Sequence, residues 1–173
     1  MTYSSALFAE PIAADESLEE AQARKIETLL ARLDLEPGDS LLEIGCGWGN
    51  LAEIVVQKQG VSYHGITLSV EQKAYTDDRL SKASQASAAL TDYRDVTGKY
   101  DSIASVEMVE AVGQRYWPDY LATIARCLKP GGRAAIQYIR IEDDVFDAYA
   151  QGTDFIQHYI FPGGMLLSES RFR

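Results

Sequence analysis

The sequence predicts an α/β fold in which helices wrap a parallel sheet, built from right-handed crossovers. Three observations carry this. Short apolar runs of strand length alternate with segments whose apolar residues recur at helical spacing. The first of these runs, 40–45, passes directly into Gly45-Cys46-Gly47-Trp48-Gly49 and then into a helical pattern. The 173 residues, 46% hydrophobic and 24% charged, suit a single globular domain spanning 1–173 with a substantial core.

Residues 1–14 form an irregular lead, and Ser17-x-x-Glu20 makes a capping box that opens a helix. Leu18, Ile26, Leu29, Leu30 and Leu33 give that helix one apolar stripe, and Leu35-Glu36-Pro37-Gly38 ends it, so 1–35 is a lead plus a cap helix. Strands follow at 40–45 and 61–66, separated by a helix over 51–58 that Gly60 closes. Ser69-x-x-Gln72 is a second capping box, opening a helix to about residue 83. A third strand is signalled around 87–90 and a fourth over 100–106. Tyr120, Leu121, Ile124, Cys127 and Leu128 mark an amphipathic helix, and a fifth strand covers 133–141 after Lys129-Pro130-Gly131-Gly132. A last helix over 142–151 ends at Gly152.

Sixteen Lys and Arg against 26 Asp and Glu leave a net charge of −10. That balance disfavours a nucleic-acid partner and removes general attraction to anionic lipid. No apolar run approaches the ~20 residues of a membrane span. Cys46 and Cys127 are too few for a disulfide scaffold, and no metal-ligand spacing occurs, so a cytoplasmic, metal-free protein is expected.

A parallel sheet binds ligands beyond the C-terminal ends of its strands. The glycine bend lies there, where glycines permit positive φ and close approach, and the following helix presents free N–H groups. Two ligands compete for it. A dinucleotide wants G-x-G-x-x-G and an acid about 20 residues later, whereas this bend is G-x-G-x-G, with Asn50 in the sixth position and His64-Gly65-Ile66-Thr67 ending the second strand. Glu43, just before the bend, suits the cationic amino-acid part of S-adenosylmethionine, so NAD is the weaker reading. Thr67, Leu68 and Gln72 then fall near a ribose, although Gln72 is equally placed to close its capping box. Asp92 and Tyr93, after the third strand, fall near an adenine, or else form a salt-bridged surface turn. Glu107 and Glu110, three apart, are either an anionic site or a solvated helical face.

With those residues in view, the chain resembles the cyclopropane fatty-acyl-phospholipid synthase family and its mycolic-acid-modifying relatives. The matching segments are Tyr3-Ser4-Ser5-Ala6, Ser17-Leu18-Glu19-Glu20-Ala21-Gln22, residues 41–49, Gly65-Ile66-Thr67-Leu68-Ser69 and Asp92-Tyr93-Arg94-Asp95. Others are residues 105–113, Leu128-Lys129-Pro130-Gly131-Gly132 and residues 159–164. The resemblance implies a Rossmann-like class I methyltransferase that adds a methylene across a cis double bond of a phospholipid acyl chain. It implies S-adenosylmethionine as cofactor, with Tyr3, Ser4, Gly45 and Gly47 at its methionine part, Thr67, Leu68 and Gln72 at the ribose, and Tyr93 with its neighbours at the adenine.

In that family a bicarbonate ion is the general base, held by a Cys, Glu, His, Ile and Tyr set. Glu110 and Ile139 match; Ser5 stands at the Cys position, Gln137 at the His position, and the matching Tyr would fall beyond residue 173. Gln137 donates a hydrogen bond but carries no charge. Methyl transfer to a small amine or other acceptor, or cofactor binding without turnover, are the competing readings. The resemblance also implies two strands after the fifth, which this chain would lack. The sheet would then hold five strands in the order 3-2-1-4-5, its fifth an open edge to be covered by the tail or a homodimer partner. Any membrane contact would be peripheral.

Overall fold

A computed structural model of the chain describes residues 2–11, 15–58 and 60–172. Helix α1 (Leu18–Leu33) starts as the sequence predicts: Ser17 Oγ accepts from Glu20 N, and the Glu20 carboxylate accepts from Ser17 N. It stops one residue before the predicted Leu35 turn, because Asp34 takes a left-handed conformation. The following elements are β1 (Ser40–Ile44), α2 (Asn50–Val56), β2 (Ser62–Thr67), α3 (Val70–Arg79) and β3 (Ala86–Leu90). Then come β4 (Tyr100–Val106), α4 (Trp117–Cys127), β5 (Leu128–Gln137), α5 (Asp143–Gln151) and the short α6 (Glu169–Phe172). Single 3-10 turns cover Tyr93–Asp95, Val109–Ala111 and Gln114–Tyr116, and a π-helical turn over Ile156–Ile160 had no counterpart in the sequence pattern.

The five strands lie in the order β3-β2-β1-β4-β5, with every neighbour pair parallel, as expected. Alternation along β1 sorts its side chains between two cores. Leu41 enters the core under α1 and α2, with Leu29, Leu33, Val55 and Tyr63. Leu42 and Ile44 enter the core under α4, with Ile103, Trp117, Tyr120 and Ile124. Glu43 therefore points to the α1 side, the same side as Tyr63.

Two boundaries differ from the sequence expectation. Helix α3 ends at Arg79 rather than near 83, because Ala83 N turns back to Leu80 O. Strand β5 begins at Leu128 rather than Arg133: the Lys129–Gly132 stretch stays beside β4 as an irregularity opposite Tyr100 and Ser102. It also ends at Gln137 rather than 141, because Ile139 N leaves the ladder for the Glu110 carboxylate. Past that point the tail covers the strand's extension, with Arg140 bridged to Leu167. Among the described residues, no helix is long and apolar enough to cross a membrane.

Candidate active site

The site forms where β1 and β4 end. Gly45, Gly47 and Gly49 all have positive φ (84°, 52° and 75°), and a Cβ on Gly45 would sit 2.9 Å from Met108 Cγ. Gly45 N and Cys46 N both donate to Ile66 O, at 3.0 and 2.9 Å, so the bend is stitched to the neighbouring strand. It opens on a narrow cleft lined by Tyr3, Ser4, Glu43, Gly45, Gly47 and Glu107 among others.

Glu43 forms the floor. It is 3% exposed and accepts a 2.5 Å bond from Tyr63 OH. Burial pushes its carboxyl up to about 7, against the opposing pull of Tyr63 and Lys25. Lys25, itself 6% exposed, donates to Ser4 Oγ; burial lowers its ammonium while Glu107 and Glu43 support the charged form. Gln22 Nε2 holds Ser4 O at 2.6 Å. Burial and the adjacent Glu43 push the Cys46 thiol up to about 12, which makes it a poor nucleophile and a small packing residue between glycines.

Tyr3 lies over the bend, with its ring 3.6 Å from where a Gly47 Cβ would be. Its hydroxyl accepts from Gln72 Nε2 at 3.3 Å, and Gln72 Oε1 accepts from Thr67 Oγ1 at 2.7 Å. Ser69 Oγ does cap the Gln72 backbone, but Ser69 N donates to Thr67 Oγ1, so the Gln72 side chain is turned toward Tyr3 rather than closing a capping box. Leu68 projects its side chain outward, 69% exposed. Asp92 and Tyr93 lie apart from the cleft lining. Asp92 pairs with Arg94 and caps the 3-10 turn, while the Tyr93 ring is buried edge-on against Tyr120. Of the other aromatic side chains, Trp117 is core, Tyr138 packs on Phe172, and Tyr159 and Phe161 are exposed.

The residues expected to cradle an anion are brought together, but around a carboxylate of the chain itself. Glu107 Oε1 accepts from Ser5 N at 2.8 Å, from Gln137 Nε2 at 2.8 Å, and from Ser5 Oγ. Glu110 Oε1 accepts from Ile139 N at 2.6 Å, and burial raises its pKa with a smaller push from Glu107. Glu110 Oε2 and Gln137 Oε1 are buried without a hydrogen-bond partner. Ser5 and Gln137 also line a second, wider and more open cavity along β5 and α1. Bicarbonate does not fit this cluster. Its entry would break the charge-assisted bonds that Ser5 and Gln137 make to Glu107, worth roughly 1.5–3 kcal/mol each.

Lys25 is a cleft residue that sequence reasoning left unassigned, and of the two readings given for Glu107 the structure shows a carboxylate turned inward onto Ser5 and Gln137 rather than a solvated helical face. Lys25 and Gln22 sit among Ala21, Ile26 and Leu29 on the buried face of α1, polar residues at core positions. That misfit was visible in the sequence. Glu107 carries a subtler signal, a carboxylate at the last turn of an apolar strand, and its backbone is left-handed (φ 47°), which strands rarely tolerate outside glycine.

The family model described as mycolic acid cyclopropane synthetase matches residues 1–173. The chain is 44% identical, over 97% of its length, to the tuberculostearic acid methyltransferase UfaA1 of Mycobacterium tuberculosis, of which it covers 41%. It is 36% identical, over 88% of its length, to the cyclopropane-fatty-acyl-phospholipid synthase of Escherichia coli, of which it covers 39%. It thus spans about two fifths of these curated relatives. Among solved structures, mycolic acid cyclopropane synthase CmaA1 complexed with SAH and CTAB superposes with a TM-score of 0.87 at 28% identity, covering 99% of this chain and 63% of that one. The fold is that of class I methyltransferases, and the chain belongs to the mycolic acid cyclopropane synthetase family.

Proposed function

We propose that this chain carries the donor half and the acidic centre of an S-adenosylmethionine-dependent methyltransferase acting on unsaturated acyl chains of phospholipids. One observation carries the reading most. The cleft floored by Glu43 and roofed by Tyr3 meets the Glu107–Gln137 cluster at the ends of adjacent parallel strands. The relatives named for fatty-acid and phospholipid chemistry supply the acceptor class.

S-adenosylmethionine fits the cleft by charge: a buried carboxyl poised near neutrality gains a cationic partner, and the glycine bend lets backbone approach. Bound there, it supplies an electrophilic methyl group. Ser4, Gly45 and Gly47 hold the methionine part and Glu43 its ammonium. Thr67 and Gln72 hold the ribose, with Leu68 beside them, and the 92–93 backbone borders the adenine. Since an alkene is a weak nucleophile, the chain must place it in line and exclude water. Anionic groups at Glu107 and Glu110 stabilise positive charge that develops on the acceptor. Peripheral lipid contact would fall on the exposed Phe155, Ile156, Tyr159, Ile160 and Phe161.

Titration calorimetry with S-adenosylhomocysteine tests the donor site, and saturable binding is expected. Incubation with S-adenosylmethionine and unsaturated phosphatidylglycerol vesicles tests the acceptor, with lipid expected to gain the mass of one CH2 group. Binding without lipid modification, with turnover on a small amine instead, would overturn the acyl-chain assignment.

A further inference from the structure

We propose that the Glu107 carboxylate is the resident anion of this site and accepts the proton released after methyl transfer, so that no dissolved bicarbonate is required. The inference rests on the methyl-transfer reading above and names its base. The donors that an external anion would need are already committed: Ser5 N, Ser5 Oγ and Gln137 Nε2 converge on Glu107 Oε1. The residue is held in place by its backbone as well, with Glu107 N donating to Gln137 O at 2.8 Å. A left-handed conformation in a residue other than glycine persists only where the surroundings enforce it, and here it aims a carboxylate into the site.

Position and charge point the same way. Glu107 lines the donor cleft, whereas Ser5 and Gln137 line the wider cavity, so the carboxylate stands where the two meet. Glu43 and Glu107 already face Lys25, the one buried cation among the described residues, and Glu107 also faces Glu110, so another anion would add to the negative charge. Gln137 cannot carry a charge to offset it.

The step balances within the site. The sulfonium S–CH3 bond breaks with its electron pair left on sulfur, giving S-adenosylhomocysteine, while the alkene π pair bonds the methyl group and leaves a cationic carbon on the acceptor. A neighbouring C–H bond then breaks, and its electron pair closes a ring or forms a new double bond. The proton passes to the Glu107 carboxylate and from there to water, with no further reactant.

The test pairs binding with turnover on the full chain loaded with S-adenosylhomocysteine or S-adenosylmethionine. With 13C-labelled bicarbonate at about 10 mM, the wild-type protein is expected to show no saturable NMR shift, whereas Glu107→Gly, which vacates the donors, is expected to bind. Removing bicarbonate from the buffer should change wild-type methyl transfer by less than about twofold. Glu107→Gln, which keeps the side chain's shape and its acceptor oxygen, should lose about a hundredfold or more. Saturable bicarbonate binding by the wild type, a tenfold loss on depletion, or unchanged turnover in Glu107→Gln would overturn the proposal. Failure to bind S-adenosylhomocysteine would instead overturn the methyl-transfer reading, and the bicarbonate titration would still decide which anion the cluster holds.

Discussion

Glu107 and Gln137 clasp each other twice. Glu107 N donates to Gln137 O at 2.8 Å, and Gln137 Nε2 donates back to Glu107 Oε1 at 2.8 Å. The first bond extends the β4–β5 ladder past Val106, and the second ties the side chains above it. A glutamine suits this place because its amide is a neutral donor to a carboxylate at any pH. Gln137→Ala should free the Glu107 carboxyl. Thermal unfolding should show a loss of about 1–2 kcal/mol, and methyl transfer should fall with little change in S-adenosylhomocysteine affinity by calorimetry.

Glu43 is expected to make donor binding pH-dependent. Burial raises its folded pKa to about 7 from the ordinary 4.5, so between these values the folded protein holds more protons than the unfolded chain. Stability from this group is therefore lost as pH rises from about 4.5 to 7, and the full cost, roughly 3 kcal/mol, applies above that window. Tyr63, Lys25 and Cys46 are the titratable groups that face it. Glu43→Gln should raise the melting temperature of the ligand-free protein at about pH 8 and have little effect at about pH 5. The same change should weaken S-adenosylmethionine binding at least about tenfold, and wild-type affinity should rise with pH through neutrality.

Gly65 is required by its neighbour two residues earlier on the same face. A Cβ there would lie 2.4 Å from Tyr63 Oη and 2.8 Å from Cys46 Cβ. Gly65→Ala should push the Tyr63 hydroxyl off Glu43, costing about 1–3 kcal/mol in denaturant titration. Tyr63→Phe, which removes the hydroxyl, should make Gly65→Ala less damaging, and a double-mutant cycle checks that coupling.

Gln72→Ala should cut the Thr67–Gln72–Tyr3 chain without touching the core. Calorimetry should show weaker S-adenosylhomocysteine binding by about 1 kcal/mol, with unchanged far-UV circular dichroism. Ser17→Ala is the contrasting case: losing the α1 cap should cost about 1 kcal/mol of stability and leave ligand affinity intact.

Much of the fold was legible because local signals agreed. The Ser17–Glu20 box, the glycine bend after Ile44 and the apolar runs at 40–45 and 100–106 each mark one structure, and the sheet order followed from the resemblance. Strand β5 was misjudged at both ends because its limits depend on long-range partners: Asp101 packs close over Gly132, and Glu110 captures Ile139 N. In the site, Glu43, Gly45, Gly47, Tyr3 and Ser4 were legible as one group. The destination of Ser5 and Gln137 was not, because hydrogen-bond partners 102 and 30 residues away leave no trace in spacing. Tyr93 is likewise spent on Tyr120, a contact no linear pattern announces.

The strip of chain preceding α1 has a consequence for how events at the two cavities communicate. Tyr3 leans on the glycine bend, Ser4 engages Lys25 and Gln22, and Ser5 engages Glu107 and Gln137. Three consecutive residues thus act as a tether between compartments that otherwise belong to different strands. The lining of one cavity and the hydrogen bonds beside the other are fixed by the same short stretch of backbone, so a substitution at Ser4 bears on both.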